Sequence, residues 1–482
     1  ANATKDESKP TSDGGEALRN FKPIELGGDE DKQFAEAVKI LKDIDRYNKL
    51  AAKHGLTIVA AAETHIHADY ISGLREFAAR GVKVYASDEG DENWKYEWLK
   101  NSDYNYEFLT DNDTFKIGNI IFKAVHSPGH TPEHISYLVS DGATTDEPMG
   151  ICSGDFVFVG DVGRPDLLES AAGMEGMMEE SARILYKSLD KFKDLAPYVQ
   201  VWPGHGAGSA CGKALGAVPD STVGYEMRFN NSIRAAITEQ DFVNFILDGQ
   251  PEPPLYFARM KRDNKMGPKV LGDFPKPQKM TADEFVFAVH SNESAVVIDT
   301  REREAFMDKH LKGALFAPVN KAFNTTVGSF VMEDEHMYLV VEEDKLHEAI
   351  LDLIRIGLDN ISGYITPSEL YAKQDLEVVR TEIITFSEFD GYNESGNYRV
   401  LDARKESEHA TGAVPGALNF AHTRILENLD KIPADKPLLV HCQAGGRAAY
   451  TSALLQKHGY EVVLIADKVE PYLQQRNLMV EA

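Results

Sequence analysis

The chain has 482 residues, 43% of them hydrophobic and 9% aromatic, and its formal net charge at pH 7 is −26. This length indicates several domains, and the apolar content is that of packed domains, which excludes a chain without folded structure. The negative charge argues against nucleic acid or an anionic membrane surface as the main partner.

The cysteine content and the hydropathy restrict where the protein works. The three cysteines, Cys152, Cys211 and Cys442, are too few and too scattered for a disulfide framework, so we expect a reducing, cytoplasmic location. No apolar run approaches the roughly 18 to 20 residues that span a membrane. We therefore expect neither a membrane nor a nucleic acid among the partners, and the sequence leaves a homo-oligomer open.

The predicted elements begin after a polar segment. Residues 1–20 contain Gly, Ser and Pro but no apolar run, which predicts a disordered tail. The stretch RYNKLAAKHG predicts a helix, and TIVAAAET, from Thr57, predicts a buried strand that leads into a histidine loop. The run ISGLREFAARG predicts a helix that ends at Gly81, and VKVYAS predicts the next strand.

Three further strand patterns each lead into a loop of polar residues. The stretch TFKIGNIIFKAVHSPGHT predicts a hairpin around Gly118 and Asn119, followed by a second histidine loop. GICSGDFVFVGD and VQVWPGHGAG each predict a strand that ends in a Gly-rich turn. Loops at the ends of strands commonly carry the chemistry of a protein, so these loops are the candidate site.

The second half of the chain contains an internal repeat. Residues 249–280 are rich in Pro and basic residues and are interpreted as a linker. Beyond them AVVIDTREREAF, from Ala295, aligns with YRVLDARKESEHA, from Tyr398. We predict two sister α/β domains, at residues 281–372 and 373–482, after an N-terminal domain at residues 21–248.

Residues with metal-ligand chemistry recur in the loops of the N-terminal domain. A single histidine is more often structural, but HxHxD, PGHT, SGD and PGHG occur together and in order, which indicates a metal centre. The six candidates are His65, His67, Asp69, His130, Asp155 and His205.

With these motifs, the N-terminal domain resembles the metallo-beta-lactamase superfamily. It most resembles the persulfide dioxygenase branch, whose strings SPGHTP and GDVGRPD occur here from Ser127 and from Gly160. The resemblance implies an αββα sandwich. It also implies that, in a dinuclear zinc site, His65, His67 and His130 would serve one metal while Asp69, residue 70 and His205 would serve the other, with Asp155 between them.

Tyr70 stands where hydrolases of this superfamily have a second histidine. A neutral phenol is a poorer ligand than imidazole, so the second metal would lose one of its ligands. By resemblance, we expect one Fe(II) per chain, bound by His65, His130 and Asp155, a set typical of non-haem Fe(II) oxygenases. His67, Asp69, Tyr70 and His205 then orient ligands or hold a second metal, and zinc in the purified protein stays open.

Three nearby residues are candidates for substrate binding. In an acidic protein, Arg164 is expected to attract an anionic persulfide, with Asp166 beside it in GRPD. Cys211 lies in a Gly-rich loop after His205, and two interpretations stay open: a buried small side chain, or a thiol that carries sulfur near the metal.

The C-terminal stretch HCQAGGRA places a thiol after a strand and before a helix. Such a loop directs backbone N–H groups at the sulfur and lowers the thiol pKa. With DAR and GAL upstream, this domain resembles a rhodanese, and the resemblance implies that Cys442 and Arg447 are catalytic and that Gln443, Gly445 and Gly446 bind substrate. The first repeat has VVEEDKL there, without a cysteine, so we expect it to be inactive.

Taken together, the chain resembles rhodanese-fused persulfide dioxygenases, which are multidomain α/β proteins. The resemblance implies oxidation of a small thiol persulfide by O₂ to sulfite and thiol, and sulfur transfer between persulfide, sulfite and thiosulfate. Two alternatives stay open: a glyoxalase II-like dinuclear zinc thioester hydrolase fused to a rhodanese, and a sulfur carrier or sensor whose metal domain is a scaffold. The sequence leaves open which thiol carries the persulfide.

Overall fold

The computed structural model describes residues 42–167, 176–207, 209, 211–213, 215–250 and 252–480. The predicted disordered tail lies outside these residues. Among the helices that the structure describes, none is long and apolar enough to cross a membrane.

In the part of the N-terminal unit that the structure describes, there are nine strands. Their bounds are β1 Ala60–Ala62, β2 Lys83–Ser87, β3 Tyr106–Leu109, β4 Thr114–Ile117, β5 Ile120–His126, β6 Ile135–Asp141, β7 Gly150–Gly154, β8 Gln200–Pro203 and β9 Ser221–Thr222. They form a three-stranded sheet in the order β1-β2-β3 and a six-stranded sheet in the order β4 to β9. The helices are α1 Asp45–Lys53, α2 Leu74–Ala79, α3 Met177–Lys193, α4 Val223–Phe229, α5 Asn231–Ala235 and α6 Glu239–Leu247, with a 3₁₀ turn at Glu92–Trp94.

Three apolar clusters hold these elements as a four-layer sandwich. Phe77 of α2 packs on Val84 of β2, outside the smaller sheet. Tyr85 and Tyr137 lie between the two sheets. Leu189 of α3 belongs to the cluster that covers the outer face of the larger sheet. The layers are therefore helix, sheet, sheet and helix, as the αββα prediction requires.

Local signals in the sequence account for two of the boundaries. Helix α2 is followed by Gly81, whose φ of +81° is the left-handed conformation that ends helices. Strands β4 and β5 pair antiparallel around Gly118, whose φ is +59°. The predicted helix before Thr57 is also present, as α1.

The two repeats have the same architecture. Their strands are β10 Gln278–Lys279, β11 Ala295–Asp299, β12 His310–Leu311, β13 Leu315–Phe316, β14 His336–Val340, β15 Ile361–Ile365, β16 Val378–Val379, β17 Glu382–Ile384, β18 Arg399–Asp402, β19 Leu418–Asn419, β20 Leu438–His441 and β21 Val462–Ile465. The first repeat has a five-stranded sheet in the order β10-β15-β14-β11-β13, and the second has β17-β21-β20-β18-β19. All pairs within these two sheets are parallel.

Helices flank both sheets, as expected for parallel strands. Those of the first repeat are α8 Ala282–Ser291, α9 Arg303–Asp308, α10 Phe323–Phe330, α11 Glu343–Arg355 and α12 Pro367–Tyr371. Those of the second are α13 Phe386–Glu394, α14 Glu406–Ala410, α15 Gly446–Lys457 and α16 Val469–Gln475, with 3₁₀ turns at His422–Arg424 and Leu426–Lys431.

The structure corrects the interpretation of residues 249–280 as a linker. This segment contains a helix, α7 Tyr256–Met266, and Tyr256, Phe257 and Met260 are buried in a core cluster shared with both repeats. The apolar residues recur at helical spacing and so form one buried face, which the Pro and basic residues around them obscured. The segment is part of the folded core, and the other predicted domain boundaries stay predictions.

Candidate metal centre and sulfur-transfer loop

Three of the predicted ligands converge at one point. One ligand atom from each of His65, His130 and Asp155 lies within 4.8 Å of the others, and all three residues are buried. His65 follows β1, His130 follows β5 and Asp155 follows β7, so three separate strand ends deliver the set. Two imidazoles and one carboxylate in a buried group can hold a single metal ion.

The surroundings of Asp155 fit a cation better than a hydrogen-bond network. The Nε2 atoms of His205, His130 and His65 lie 3.1, 3.5 and 3.9 Å from its Oδ2. Yet, among the described residues, no donor makes a hydrogen bond of good geometry to either Asp155 oxygen. Burial would raise the Asp155 pKa, but attraction by His205, His65 and His130 lowers it well below its ordinary value. A carboxylate held anionic in this way is suited to a metal.

Three of the four candidate histidines are held through their Nδ1 atoms. Nδ1 of His65 is 2.9 Å from Oγ1 of Thr64, and Nδ1 of His205 is 2.9 Å from Oγ of Ser209. Nδ1 of His130 donates to the backbone carbonyl of Arg164 at 3.0 Å. Such contacts set the ring orientation and leave Nε2 directed at the centre.

Two glycines allow the backbone to close around the carboxylate. A Cβ on Gly204 would lie 2.5 Å from Oδ1 of Asp155. A Cβ on Gly163 would lie 1.8 Å from the carbonyl oxygen of Asp155 and 3.2 Å from Cβ of His130. Glycine is therefore required at both positions, in GDVGRPD and PGHG.

Tyr70 is buried beside the centre and contacts a predicted ligand. Its hydroxyl is 3.0 Å from Nε2 of His67, and the two rings stack with centroids 4.5 Å apart. Burial, followed by the charge of Asp69, raises the Tyr70 pKa well above its ordinary value. The phenol is thus held in its protonated form and contacts His67.

A second group of ligand atoms lies beside the first. One atom from each of Asp69, His205 and Cys211 lies within 4.8 Å of the others. Nε2 of His205 is 3.4 Å from Oδ2 of Asp69 and 3.1 Å from Oδ2 of Asp155, so the two groups adjoin. Sequence reasoning removed one ligand from this group at Tyr70 and left open whether Cys211 lies near the metal; the structure places it in this group.

Arg164 is more deeply buried than a substrate-binding cation would be. It is 1% exposed, and it donates to Asp166 through Nε at 2.8 Å and through Nη2 at 2.5 Å. Asp166 therefore compensates the charge that we expected to attract an anionic substrate. The contact of Arg164 with the metal centre runs through its carbonyl, on His130, and a direct role in substrate binding stays a prediction.

Sequence reasoning missed two residues that position the centre. His134 accepts a hydrogen bond from the Asp155 backbone N–H at 3.0 Å, and its Nδ1 lies 2.9 Å from Oγ of Ser127. Burial, followed by repulsion from His130, lowers the His134 pKa to about 3, so the ring stays neutral and keeps this arrangement. The sequence did offer one signal for this residue, since His134 ends the stretch PGHTPEH and so lies four residues after His130.

Asn264 of α7 is the other missed residue. Its Nδ2 donates to the carbonyls of His67 at 2.8 Å and Tyr70 at 2.7 Å, and its Oδ1 accepts from the Ser72 N–H at 2.9 Å. The buried amide thus fixes the HxHxDY loop from the segment that was interpreted as a linker. No local pattern in the sequence pointed to it.

The Cys442 loop has the geometry of an anion cradle. Cys442 is 1% exposed and follows β20, and the Gly445 N–H donates to its Sγ at 3.1 Å. Gly445 has a φ of +87°, and helix α15 begins at Gly446. The loop and the helix N-terminus therefore direct positive partial charge at the sulfur, while Gln443 is exposed at the rim.

The side chain of Arg447 is bound to a carboxylate on a neighbouring helix. Its Nη1 and Nη2 donate to the two carboxylate oxygens of Glu408, on α14, at 2.5 and 2.7 Å. This contact raises the Arg447 pKa, so the side chain stays charged. Arg447 braces the loop against α14, which the sequence did not indicate, and its catalytic role stays a prediction.

Comparisons with known proteins match the two parts of the chain separately. Residues 24–205 match the metallo-beta-lactamase superfamily, and residues 385–468 match the rhodanese-like domain. A metallo-beta-lactamase crystal structure from Staphylococcus aureus subsp. aureus COL is 38% identical, covers 68% of this chain and 89% of its own, and has a TM-score of 0.59. The predicted fold class is confirmed by these matches.

Two curated relatives are similar to part of the chain. A probable metallo-hydrolase from Burkholderia pseudomallei (strain 1710b) is 29% identical over 38% of this chain and 62% of its own length. A hydroxyacylglutathione hydrolase from Francisella tularensis subsp. novicida (strain U112) is 28% identical over 39% of this chain and 64% of its own. The chain thus spans less than two thirds of either relative.

Proposed function

Because this chain belongs to the metallo-beta-lactamase superfamily and carries a C-terminal rhodanese-like domain, we propose that it oxidises a small thiol persulfide with O₂. The products are sulfite and free thiol: RSSH + O₂ + H₂O gives RSH + SO₃²⁻ + 2 H⁺. The rhodanese-like domain then transfers sulfur from another persulfide to the sulfite, which gives thiosulfate.

The observation that supports this function is the set of His65, His130 and Asp155. Two imidazoles and one carboxylate leave room on an octahedral metal for O₂ and a substrate sulfur. Bound there, Fe(II) would supply the redox chemistry that joins oxygen to the terminal sulfur. The protonated Tyr70 supports the same assignment, because it binds His67 rather than completing a zinc-type second site.

The chain's own residues would hold this centre rigid and dry. Thr64 and the Arg164 carbonyl orient the two histidines, and His134 holds the Asp155 backbone. Burial of the whole set limits the access of water, which would protect a reactive sulfur product from side reactions.

At the second centre the Cys442 thiolate would attack the outer sulfur of a persulfide. The S–S bond of the persulfide breaks, RSH leaves and Cys442 carries the sulfane sulfur. Sulfite then attacks that sulfur, thiosulfate leaves and the thiolate is restored. The Gly445 N–H would stabilise the negative sulfur in each state.

A dinuclear thioester hydrolase is the second candidate function. The group of Asp69, His205 and Cys211 favours it, because these residues could hold another metal beside the first. One similar relative is a hydroxyacylglutathione hydrolase. Hydrolysis would need neither O₂ nor a redox-active metal, and this difference separates the two candidates.

The test is to load the protein with Fe(II) or Zn(II) without oxygen and to count the bound metal. With iron, we expect one equivalent and O₂ uptake on addition of glutathione persulfide. Two equivalents of zinc with thioester hydrolysis, and no O₂ uptake by the iron form, would contradict the proposal.

Variants of Tyr70 sharpen this test. Tyr70→His should increase zinc binding at the second group, because imidazole replaces a phenol that stays protonated. Tyr70→Phe is the matched control, since it removes the hydroxyl contact with His67 but adds no ligand. Equal zinc binding by both variants would show that Tyr70 does not limit the second site.

A further inference from the structure

The first repeat, although it has no cysteine in its loop, packs against the Cys442 loop of the second. Helix α15, which follows that loop, packs against β13 of the first repeat. The ring of Phe316, in β13, lies 5.5 Å from the ring of Tyr450, in α15. The carboxyl end of the first sheet therefore faces the sulfur-transfer loop, which is where parallel sheets place ligand sites.

Arg303, at the start of α9, reaches this loop. A Cβ on Gly445 would lie 2.9 Å from Nη1 of Arg303, so the guanidinium lies against the loop backbone next to the N–H that binds Sγ of Cys442. Its Nε and Nη2 contact Glu304 at 3.2 and 2.8 Å. Because Glu304 is 72% exposed, this ion pair is screened and weak.

A second residue of the first repeat contacts the helix that follows the loop. Asn320 makes a side-chain hydrogen bond with the hydroxyl of Tyr450, whose pKa is raised by burial and by the nearby Cys442. Two separate segments of the first repeat, after β11 and after β13, thus contact the Cys442 loop and the helix that follows it.

The second repeat's own arginine at this site is already engaged. Arg447 gives two hydrogen bonds to Glu408, which neutralises most of its charge. Burial lowers the pKa of His441 and of His422 to about 4, so both rings are neutral at pH 7. An anionic sulfur acceptor in a chain of net charge −26 would benefit from a further cation at this position.

We propose that Arg303 is an anion-binding residue of the Cys442 site, so that the cysteine-less repeat supplies part of the sulfur-transfer centre. The ligands it fits are small sulfur oxyanions such as sulfite and thiosulfate, which a guanidinium binds through paired N–H donors. This assignment rests on the proposed sulfur transfer at Cys442.

Alkylation of Cys442 tests the assignment without requiring turnover. Iodoacetate is anionic and iodoacetamide is neutral, and mass spectrometry of the Cys442 peptide separates this thiol from the other two. Arg303→Ala should slow iodoacetate by about 5- to 10-fold, the size of one partly exposed charge contact, and leave iodoacetamide unchanged. An unchanged ratio of the two rates would overturn the assignment.

Steady-state transfer from thiosulfate to cyanide provides the second measurement. Arg303→Ala should raise KM for thiosulfate by a similar factor with little change in kcat, and Arg303→Lys should restore part of the affinity. Lys312→Ala is the matched control, since Lys312 is an exposed cation of the same repeat that contacts Glu377 instead. If Lys312→Ala changed KM by the same factor, the effect of Arg303→Ala would arise from the net charge of the repeat. That result would overturn the assignment.

These results also separate this assignment from the proposed function. If Cys442→Ser keeps full sulfur transfer, the proposed function at Cys442 fails whatever Arg303 does. If Cys442→Ser is inactive and Arg303→Ala behaves as the unmodified chain, only the role of Arg303 fails.

Discussion

The two repeats share a scaffold and differ in one loop. Strand β11 of the first repeat and strand β18 of the second each end in an aspartate that binds the arginine two residues later. The Nη2 to Oδ2 distances are 2.8 Å for Arg301 and Asp299 and 2.7 Å for Arg404 and Asp402. Both aspartates are fully buried. These pairs brace the same turn in both repeats, so they belong to the scaffold and do not distinguish the two repeats.

The register of the sheets shows where the repeats diverge. Asp299 pairs with Val340, whereas Asp402 pairs with His441, so Val341 occupies the position of Cys442. Helix α11 then begins at Glu343, whereas α15 begins only at Gly446. The first repeat thus lacks both the thiol and the length of backbone that forms the cradle, and its acidic residues occupy the helix N-terminus instead. The two repeats therefore share a fold, and the residues that could transfer sulfur lie in the loop of the second repeat alone.

The largest expected effect separates the two repeats by function. Cys442→Ser should lower thiosulfate formation from added sulfite and persulfide by at least about 1000-fold, because the nucleophile is lost. Cys152→Ser is the matched control, since burial raises the Cys152 pKa to about 11 and keeps that thiol protonated. Full transfer by Cys442→Ser would mean that another thiol carries the sulfur.

The next prediction tests the shared scaffold. Asp402→Ala should lower the free energy of unfolding by about 3 to 5 kcal/mol, because it leaves the buried Arg404 without its carboxylate partner. Asp299→Ala should also lower it, but by less, because Arg301 is partly exposed and also contacts the carbonyl of Lys309. Urea unfolding measures both. A large loss for one variant and none for the other would break the structural equivalence of the repeats.

A smaller effect concerns a contact described only in the second repeat. Burial would raise the Glu408 pKa, but the hydrogen bonds from Arg447 outweigh it and lower the pKa. A lowered pKa means that the contact stabilises the fold above the ordinary glutamate pKa, and that this contribution is lost as pH falls through the folded value. The stability difference between the unmodified chain and Glu408→Gln should therefore be present at pH 7 and disappear in acid. A difference that persists below pH of about 3 would assign it to packing.

The smallest expected effect comes from placing a thiol in the first repeat. Val341→Cys in the Cys442→Ser background should not restore sulfur transfer, because α11 begins too soon and Glu342, Glu343 and Asp344 repel an anion. The assay is thiosulfate formation, as for Cys442→Ser alone. Restored activity would show that the sequence of the loop is less important than the scaffold.

The sequence predicted the elements whose signals are local. The strand ends with His65, His130 and Asp155, the turn at Gly118 and the Cys442 loop are short patterns, and the structure contains them. Contacts between distant segments were not predictable. Asn264 binds the carbonyl of His67 across 197 positions of the chain, which no periodicity reveals.

The partners of charged side chains were also not predictable from the sequence. Arg164 was expected to attract an anionic substrate and Arg447 to be catalytic, and both side chains are bound to a carboxylate. Which carboxylate neutralises an arginine depends on the packing of neighbouring loops and helices. The approach of Cys211 to Asp69 and His205 depends in the same way on how the loop after β8 folds back.

The most direct test of the account is the number of persulfide molecules consumed per O₂ by the iron-loaded protein. If the metal centre and Cys442 act in series, the unmodified chain should consume two persulfides per O₂ and release thiosulfate. Cys442→Ser should consume one and release sulfite, with O₂ uptake retained. The same ratio and the same product from both proteins, or no O₂ uptake by either, would contradict the account.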